Sequence, residues 1–248
     1  MNILLTGSSG FIGRALLGRL QTEPGLRLFE AGRQPVSRAG YTCVGQLQAD
    51  TDWSQALQNI QVVVHLAGRA HVLQSAGSDT PAAFQQANVD GALNLARQAA
   101  AAGVQRFIFI SSIGVNGAQT DEQPFTELCI PQPQVAYAMS KYAAEQGLQA
   151  LTQQTSMQLV IIRPPLVYAA HAPGNFRRLL QLVASGIPLP FARVENRRSM
   201  LALENLLDFI RCCIEHPAAA NQVFLVADEF AVSTPQLVRY LAEGMGQP

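Results

Sequence analysis

Tyr137 and Lys141 stand four residues apart in the run Tyr-Ala-Met-Ser-Lys. On a helix, positions i and i+4 share a face, so this spacing predicts a lysine ammonium beside a phenol. A neighbouring cation favours the phenolate and pulls the tyrosine below its usual pKa of ~10. The pair therefore predicts a tyrosine that can act as a general acid or base near neutral pH. Upstream, Ser111 and Ser112 follow the apolar run Arg-Phe-Ile-Phe-Ile. A hydroxyl at a strand end can bond the substrate oxygen that a tyrosine protonates; the ordinary alternative is a serine that caps the next turn.

A second group of residues could hold an anion. Gly7, Gly10 and Gly13 follow the apolar residues 3–5 and open an amphipathic stretch at 11–20. Their GxxGxxG spacing suits a nucleotide pyrophosphate. Gly7 permits a tight turn, Gly10 lets the backbone approach the phosphates, and Gly13 lets the helix pack closely on the sheet. Free N–H groups at the helix start then face the anion. Past the second predicted strand the chain reads Phe29-Glu-Ala-Gly-Arg33. NAD enzymes usually place an acidic residue at that strand end, on the ribose hydroxyls. Here the position falls on Gly32, followed by Arg33, whose guanidinium suits a 2′-phosphate. NADP(H) is therefore favoured; a shift of two residues would put Glu30 on the ribose and favour NAD(H).

The elements that must position these residues alternate between strand and helix. Strands are predicted at 2–6, 26–31, 61–66, 106–111 and 157–163, with a short extended segment at 41–44. Helices are predicted at 11–20, from about 80 to 102 with Gly103 as its C-cap, and at 136–153. Alternation of this kind implies an α/β fold, a Rossmann-type doubly wound parallel sheet covered by helices on both sides. After Pro164-Pro165 the pattern loosens. Helices at about 175–185 and 204–215, strands near 198–203 and 222–226, and a last helix started by Ser233-Thr234-Pro235 follow. Residues 1–164 read as a dinucleotide-binding domain, and 165–248 as a smaller, interleaved substrate-binding region.

Composition narrows the classes. The 248 residues are 48% apolar and 14% charged, which marks a globular chain. A formal net charge of zero argues against a nucleic-acid partner. No apolar run approaches the ~18 residues of a membrane span. No basic region precedes the first strand, so no signal peptide is predicted. Cys43, Cys129, Cys212 and Cys213 form no CxxC pair, and a cytoplasmic protein with reduced cysteines is expected. His65, His71, His171 and His216 show no metal-ligand spacing, so no metal is expected, and His65 reads as a packed strand-end residue. Asp50 and Asp52, flanking Trp53, read as helix caps.

Taken together, Thr-Gly-Ser-Ser-Gly-Phe-Ile-Gly, His65-Leu-Ala-Gly68, Asn88-Val-Asp-Gly91, Phe109-Ile-Ser-Ser112, Tyr137-x-x-x-Lys141 and Arg163-Pro-Pro-Leu-Val-Tyr168 resemble the short-chain dehydrogenases/reductases. The resemblance is to their extended branch, spans essentially the whole chain, and is nearest to bacterial UDP-sugar 4-epimerases and 4-ketoreductases of surface-polysaccharide synthesis. It implies a catalytic Ser112–Tyr137–Lys141 triad, with Ser111 a neighbour of the serine in register. It implies cofactor contacts from Gly7, Ser9, Gly10, Phe11, Ile12 and Gly13 in the first turn. Further contacts fall on Arg33, Gln46 and Leu47, and on Leu66, Ala67 and Gly68. Asn88, Ser111, Tyr137, Lys141 and Pro164 complete the cofactor side; Lys141 also bonds the nicotinamide ribose. Ser112, Asn175 and Arg198 are implied to meet a nucleotide-sugar substrate, Arg198 at its diphosphate. A homodimer is the family expectation.

The resemblance leaves the reaction open. Ile113-Gly114 stands where 4,6-dehydratases need an Asp-Glu pair, which argues against dehydration. Asn116 stands where many 4-epimerases carry a tyrosine, which leans toward a 4-ketoreductase. A 4-epimerase with tightly bound NAD is the alternative. An NADP(H)-binding sensor that catalyses nothing is a third reading, against which the presence of both Tyr137 and Lys141 counts. Gln46 replaces a frequent aspartate near the adenine, Gly68 an alanine, and Ala169 a glycine. Relatives also run some tens of residues beyond Gln247-Pro248, so the resemblance implies a longer substrate region than residues 165–248 supply.

Overall fold

The computed structural model describes residues 1–70, 80–120 and 123–247. In chain order its strands are β1 (Asn2–Thr6), β2 (Arg27–Gly32), β3 (Tyr41–Cys43), β4 (Val62–His65), β5 (Arg106–Ile110), β6 (Gln158–Arg163), β7 (Leu166–Tyr168), β8 (Met200–Ala202) and β9 (Gln222–Leu225). Its helices are α1 (Phe11–Gln21), α2 (Pro81–Phe84), α3 (Gly91–Ala101), α4 (Ala136–Thr152), α5 (Gly174–Ala184), α6 (Leu203–Glu215) and α7 (Thr234–Gly244). The chain divides into two compact units. The first is Met1–Pro164 with Leu207–Leu225; the second is Pro165–Leu206 with Val226–Pro248.

The first unit holds a seven-stranded sheet in the order β3-β2-β1-β4-β5-β6-β9. Every ladder in it is parallel. This is the doubly wound, Rossmann-type α/β sheet expected from the alternation. β4 and β5 are buried along their whole length. Strands covered on both faces must be apolar throughout, which is why Val-Val-Val-His and Arg-Phe-Ile-Phe-Ile show no polar alternation. Trp53, Leu95, Phe107, Phe109 and Leu148 are among the side chains that fill the core between sheet and helices. Strand order reverses between β1 and β4, and a crevice opens at the carboxyl ends of strands where such a reversal occurs.

Two buried polar features shape this unit. Arg106, at the start of β5, is 7% exposed. Its guanidinium donates to the carbonyl oxygens of Cys213 at 2.6 Å, Ile214 at 3.1 Å and His216 at 3.1 Å, and so closes the C-terminus of α6. A cation there meets the negative end of the helix dipole. The helix expected as one piece from 80 to 102 is instead α2, a π-helical turn over Gln85–Asp90, and α3. The widened turn aims Asn88 inward. Its amide donates to the Ser140 hydroxyl at 2.9 Å and to the Arg69 carbonyl at 3.0 Å, and its oxygen accepts from the Arg69 N–H at 2.7 Å. Those long-range bonds compensate for the poorer helix geometry, and no local pattern announces them.

In the second unit, β7 and β8 form a parallel pair, and Arg198 and Val232 make an antiparallel bridge. Asp228 ties the unit together. Its carboxylate accepts from the Tyr168 hydroxyl at 2.9 Å, the Ala202 N–H at 3.0 Å and the Asn205 amide at 2.7 Å. Helix α7 starts with the cap expected at Ser233, here a full capping box with Gln236. Among the described residues no helix is long and apolar enough to cross a membrane.

Candidate active site

The turn after β1 is shaped by the absence of side chains. Gly7 has φ +75°, and a Cβ there would lie 2.6 Å from the Ala67 nitrogen. A Cβ on Gly13 would overlap the Gly7 carbonyl oxygen and lie 2.8 Å from the Ser8 Cα. The Gly10 N–H closes the turn on the Gly7 carbonyl at 3.0 Å, and Gly10 is the N-cap of α1 without a capping side chain. Gly10, in the cavity wall, thus places no capping side chain between the start of α1 and an anion.

A cavity of about 1020 Å³ opens from this turn. Gly7, Ser9 and Gly10 line it on one side, Arg33, Gln46 and Leu47 on another, and Leu66, Ala67 and Gly68 on a third. Among the described residues its charged lining is Arg14, Arg33, Arg38 and Arg69, with no carboxylate. Phe11, Ile12 and Gly13 belong to α1 behind the turn. Glu30, the alternative ribose ligand, is buried in β2 and bound to Arg38 at 2.6 Å. The strand runs on to Gly32, so Arg33 is the first residue past its end.

Lys141 lies one turn along α4 from Tyr137 and is 4% exposed. Its ammonium donates to the Ile110 carbonyl at 2.9 Å and sits 4.6 Å from the centre of the Phe109 ring. Burial lowers its pKa to about 8, against a smaller opposing pull from Glu145. Tyr137 stands in the first turn of α4, its ring edge-on to Phe84 at 6.2 Å. Burial pushes its phenol up to about 12. This corrects the expectation of a phenol depressed by the lysine. The ammonium is directed at a carbonyl at the end of β5, so desolvation dominates and Tyr137 is held protonated. The Tyr137 carbonyl accepts from the Ser140 hydroxyl at 2.7 Å, which itself accepts from Asn88.

The two serines after β5 behave differently. Ser112 accepts the Gly114 N–H at 3.2 Å and so caps the short 3-10 turn Ile113–Val115. Ser111 is 3% exposed and donates to Glu145. Glu145 and Arg163 form a buried, two-pronged ion pair with distances of 3.0 and 2.5 Å. Arg163 also donates to Asn116 at 2.9 Å, and Asn116 donates to the Thr126 carbonyl at 3.1 Å. Sequence reasoning missed this network. The available signal was Glu145, which follows Lys141 by four residues on an inward helix face. Arg163, at the end of an apolar strand, was the other half of the signal. Pro164 continues from it, and its carbonyl accepts from Ile113 at 3.0 Å.

His65 is fully buried and bonded to Thr6 at 2.7 Å; burial, then the charge of Lys141, lowers its pKa to about 3. It is a neutral packed ring. His71 lies outside the described residues, and among those described no three His, Cys, Asp or Glu side chains converge as for a metal. Asp52 accepts from the Ser54 N–H at 2.9 Å, but residues 54–59 form turns and no helix follows for Asp50 or Asp52 to cap, which corrects the expectation of helix caps there. Asn175, in the first turn of α5, and Arg198, at its bridge to Val232, are exposed and belong to the second unit.

Comparison with known proteins places this geometry. Residues 3–227 match the family model described as the NAD dependent epimerase/dehydratase family. The chain is 44% identical, over its whole length and 76% of the relative, to a protein of Vibrio cholerae named UDP-glucose 4-epimerase. It is 27% identical, over 99% of its length and 73% of the relative, to an Escherichia coli O157:H7 protein. That protein is named N-acetyl-alpha-D-glucosaminyl-diphospho-ditrans,octacis-undecaprenol 4-epimerase. A solved structure of UDP-glucuronic acid 4-epimerase from Bacillus cereus in complex with NAD superposes with a TM-score of 0.85 at 21% identity. The match covers the whole chain and 85% of that structure.

Proposed function

Because the chain belongs to the NAD dependent epimerase/dehydratase family, of the extended short-chain dehydrogenase/reductase type, we propose that it is a nucleotide-sugar 4-ketoreductase that uses NADP(H). The observation that carries this reading is that Ser112 follows the carboxyl end of β5 while Tyr137 and Lys141 stand in the first turns of α4, Lys141 bonded to the Ile110 carbonyl at that strand end, all in the unit that holds the glycine turn. A dinucleotide fits the residues present. The cradle at Gly7 and Gly13 is one that any Cβ would fill, and among the described residues the cavity beside it is lined by arginines without a carboxylate. When bound, the nicotinamide supplies the hydride that reduces C4 of the sugar.

The chain's own residues do the rest. Tyr137, protonated near neutral pH, gives its proton to the C4 oxygen as negative charge develops there. Ser112 orients that oxygen, and Lys141 holds the ribose hydroxyls. Gly7, Ser9, Gly10 and the start of α1 hold the pyrophosphate. Gln46 and Leu47 meet the adenosine, Leu66, Ala67 and Gly68 line the crevice, and Arg33 takes the 2′-phosphate. Asn175 and Arg198 meet the nucleotide sugar. Residues 165–248 are the substrate region, and the enzyme works as a cytoplasmic homodimer in surface-polysaccharide synthesis.

Asn116 supports reduction over epimerisation. It stands where many 4-epimerases carry a tyrosine, and its amide is already committed to Arg163 and Thr126. The name of the Vibrio cholerae relative favours a second reading, a UDP-sugar 4-epimerase with tightly bound NAD. One assay separates them. Purified enzyme is mixed with UDP-4-keto-6-deoxy-N-acetylglucosamine and NADPH; loss of NADPH absorbance is the expected result. Interconversion of UDP-sugars without added cofactor would establish the epimerase instead.

A further inference from the structure

We propose that Tyr41 is a specificity-determining residue of the cofactor site. Its phenol fills the space at the end of β2 from which an acidic side chain would grip a ribose diol. The inference rests on the NADP(H) reading above and names the group that enforces it.

β2 ends at Gly32, and a Cβ built there would overlap the Tyr41 hydroxyl, with the ring Cζ at 3.2 Å. The obstacle is a side chain from the next strand, where Tyr41 pairs with Glu30 in the parallel ladder between β2 and β3. That side chain is held at both ends. Its hydroxyl donates to the Gln34 carbonyl at 2.6 Å. The Arg38 guanidinium lies over its ring at 5.9 Å and is itself bound to Glu30 at 2.6 Å. A phenol with a hydrogen bond at its tip and a cation on its face cannot swing aside without losing both.

The same contacts shape the rim. Gln34 is held by Tyr41, and the Arg33 carbonyl accepts from the Cys43 thiol at 3.4 Å. Gly32, Arg33, Gln34, Arg38 and Tyr41 all line the cavity, and Glu30, the carboxylate bound to Arg38, is not among the described lining residues. Tyr41 thus acts twice. It denies the strand end to a carboxylate, and it holds the turn that presents Arg33. A site that cannot place a carboxylate on a ribose diol but presents a guanidinium discriminates by charge, in favour of the phosphorylated ribose.

The test is a pair of mutant cycles. In the first, Kd values for NADPH and NADH are measured calorimetrically for the wild type, Gly32→Asp, Tyr41→Ala and the double variant. The wild type should bind NADPH at least tenfold more tightly than NADH. Gly32→Asp alone should weaken NADPH and gain no NADH affinity. Gly32→Asp with Tyr41→Ala should bind NADH at least tenfold more tightly than Gly32→Asp does. NADH binding by Gly32→Asp equal to that of the double variant would overturn the role of Tyr41. So would a double variant that melts like the wild type and gains nothing. The second cycle needs no cofactor and keeps the proposal testable if those variants fail to fold. Gly32→Ala should lower Tm in the presence of Tyr41, and Tyr41→Phe, which removes the overlapping oxygen, should restore most of the loss. Equal losses in both backgrounds would show that the space is not occupied as proposed. A wild type that binds both cofactors equally would overturn the NADP(H) reading alone, because the Gly32→Ala cycle would still report the packing.

Discussion

At the carboxyl end of β1, the crevice is formed by what the chain leaves out. Gly7 and Gly13 have no side chains, Gly10 caps α1 without one, and the backbone itself faces the cavity. At the ends of β5 and β6, polar and charged groups are instead drawn inside. Glu145 and Arg163 pair in the core, Asn116 and Ser111 complete their shells, and Lys141 is buried on a carbonyl. The first region needs room and tolerates no added atoms. The second needs every partner present, because a buried charge stripped of its partner is far costlier than the pair. The two should therefore fail in different ways when mutated.

The largest effect is expected at the proposed general acid. Tyr137→Phe should lower kcat by about a hundredfold to ten-thousandfold, the range for loss of a general acid, with cofactor binding retained. Steady-state turnover with calorimetry checks both halves, and retained turnover would remove Tyr137 from the mechanism. Next, Arg163→Met leaves Glu145 buried and unpaired, and should cost about 3–5 kcal/mol of stability in urea melts. Adding Glu145→Met should recover much of that; a double variant as unstable as the single would mean that the pair is not the cause.

Lys141 gives a pH signature of similar size. Its pKa falls from 10.5 to about 8 on folding. Between those values the unfolded chain carries the proton and the folded chain does not, so stability rises with pH through that window. The gain should approach about 3 kcal/mol, and Lys141→Met should flatten it. Cys213 and Tyr137, both raised to about 12, act in the opposite sense above their ordinary values of 9.0 and 10.0, so the difference between the wild-type and Lys141→Met denaturant curves, taken from about pH 8 to about pH 10, isolates the lysine. A wild type and variant with parallel curves would contradict the buried ammonium. The smallest effect belongs to the glycine turn. Gly13→Ala should cost about 1–3 kcal/mol, the usual penalty of overpacking, together with much of the dinucleotide affinity. Unchanged binding would mean that the turn is not the cradle.

The contrast also explains what could be read from sequence. The turn at Gly7–Gly13 is encoded locally, and β4 and β5 declare themselves as uninterrupted apolar runs. The strand ends bearing Gly32 and Ser112 follow from those runs within a residue or so. The π-helical turn around Asn88 does not, because its cause is a bond to Ser140, far along the chain. The protonation of Tyr137 was misread for a similar reason. Spacing places Lys141 on the right helix face, but the carbonyl of Ile110, which takes its ammonium, belongs to another element. Periodicity shows which face a residue shares, and burial then decides what its charge does there.

Lys141 is the only lysine in the chain; every other Lys/Arg position is arginine. Arginine stays charged in any protein setting, whereas an amine can be tuned and can react. Reductive methylation with a carbon-13 reagent would therefore place spectroscopic labels at only two amines, Lys141 and the N-terminal Met1. The Lys141 amine, proposed above to hold the cofactor ribose, could then be followed as a resolved resonance while cofactors are titrated in, without a single substitution.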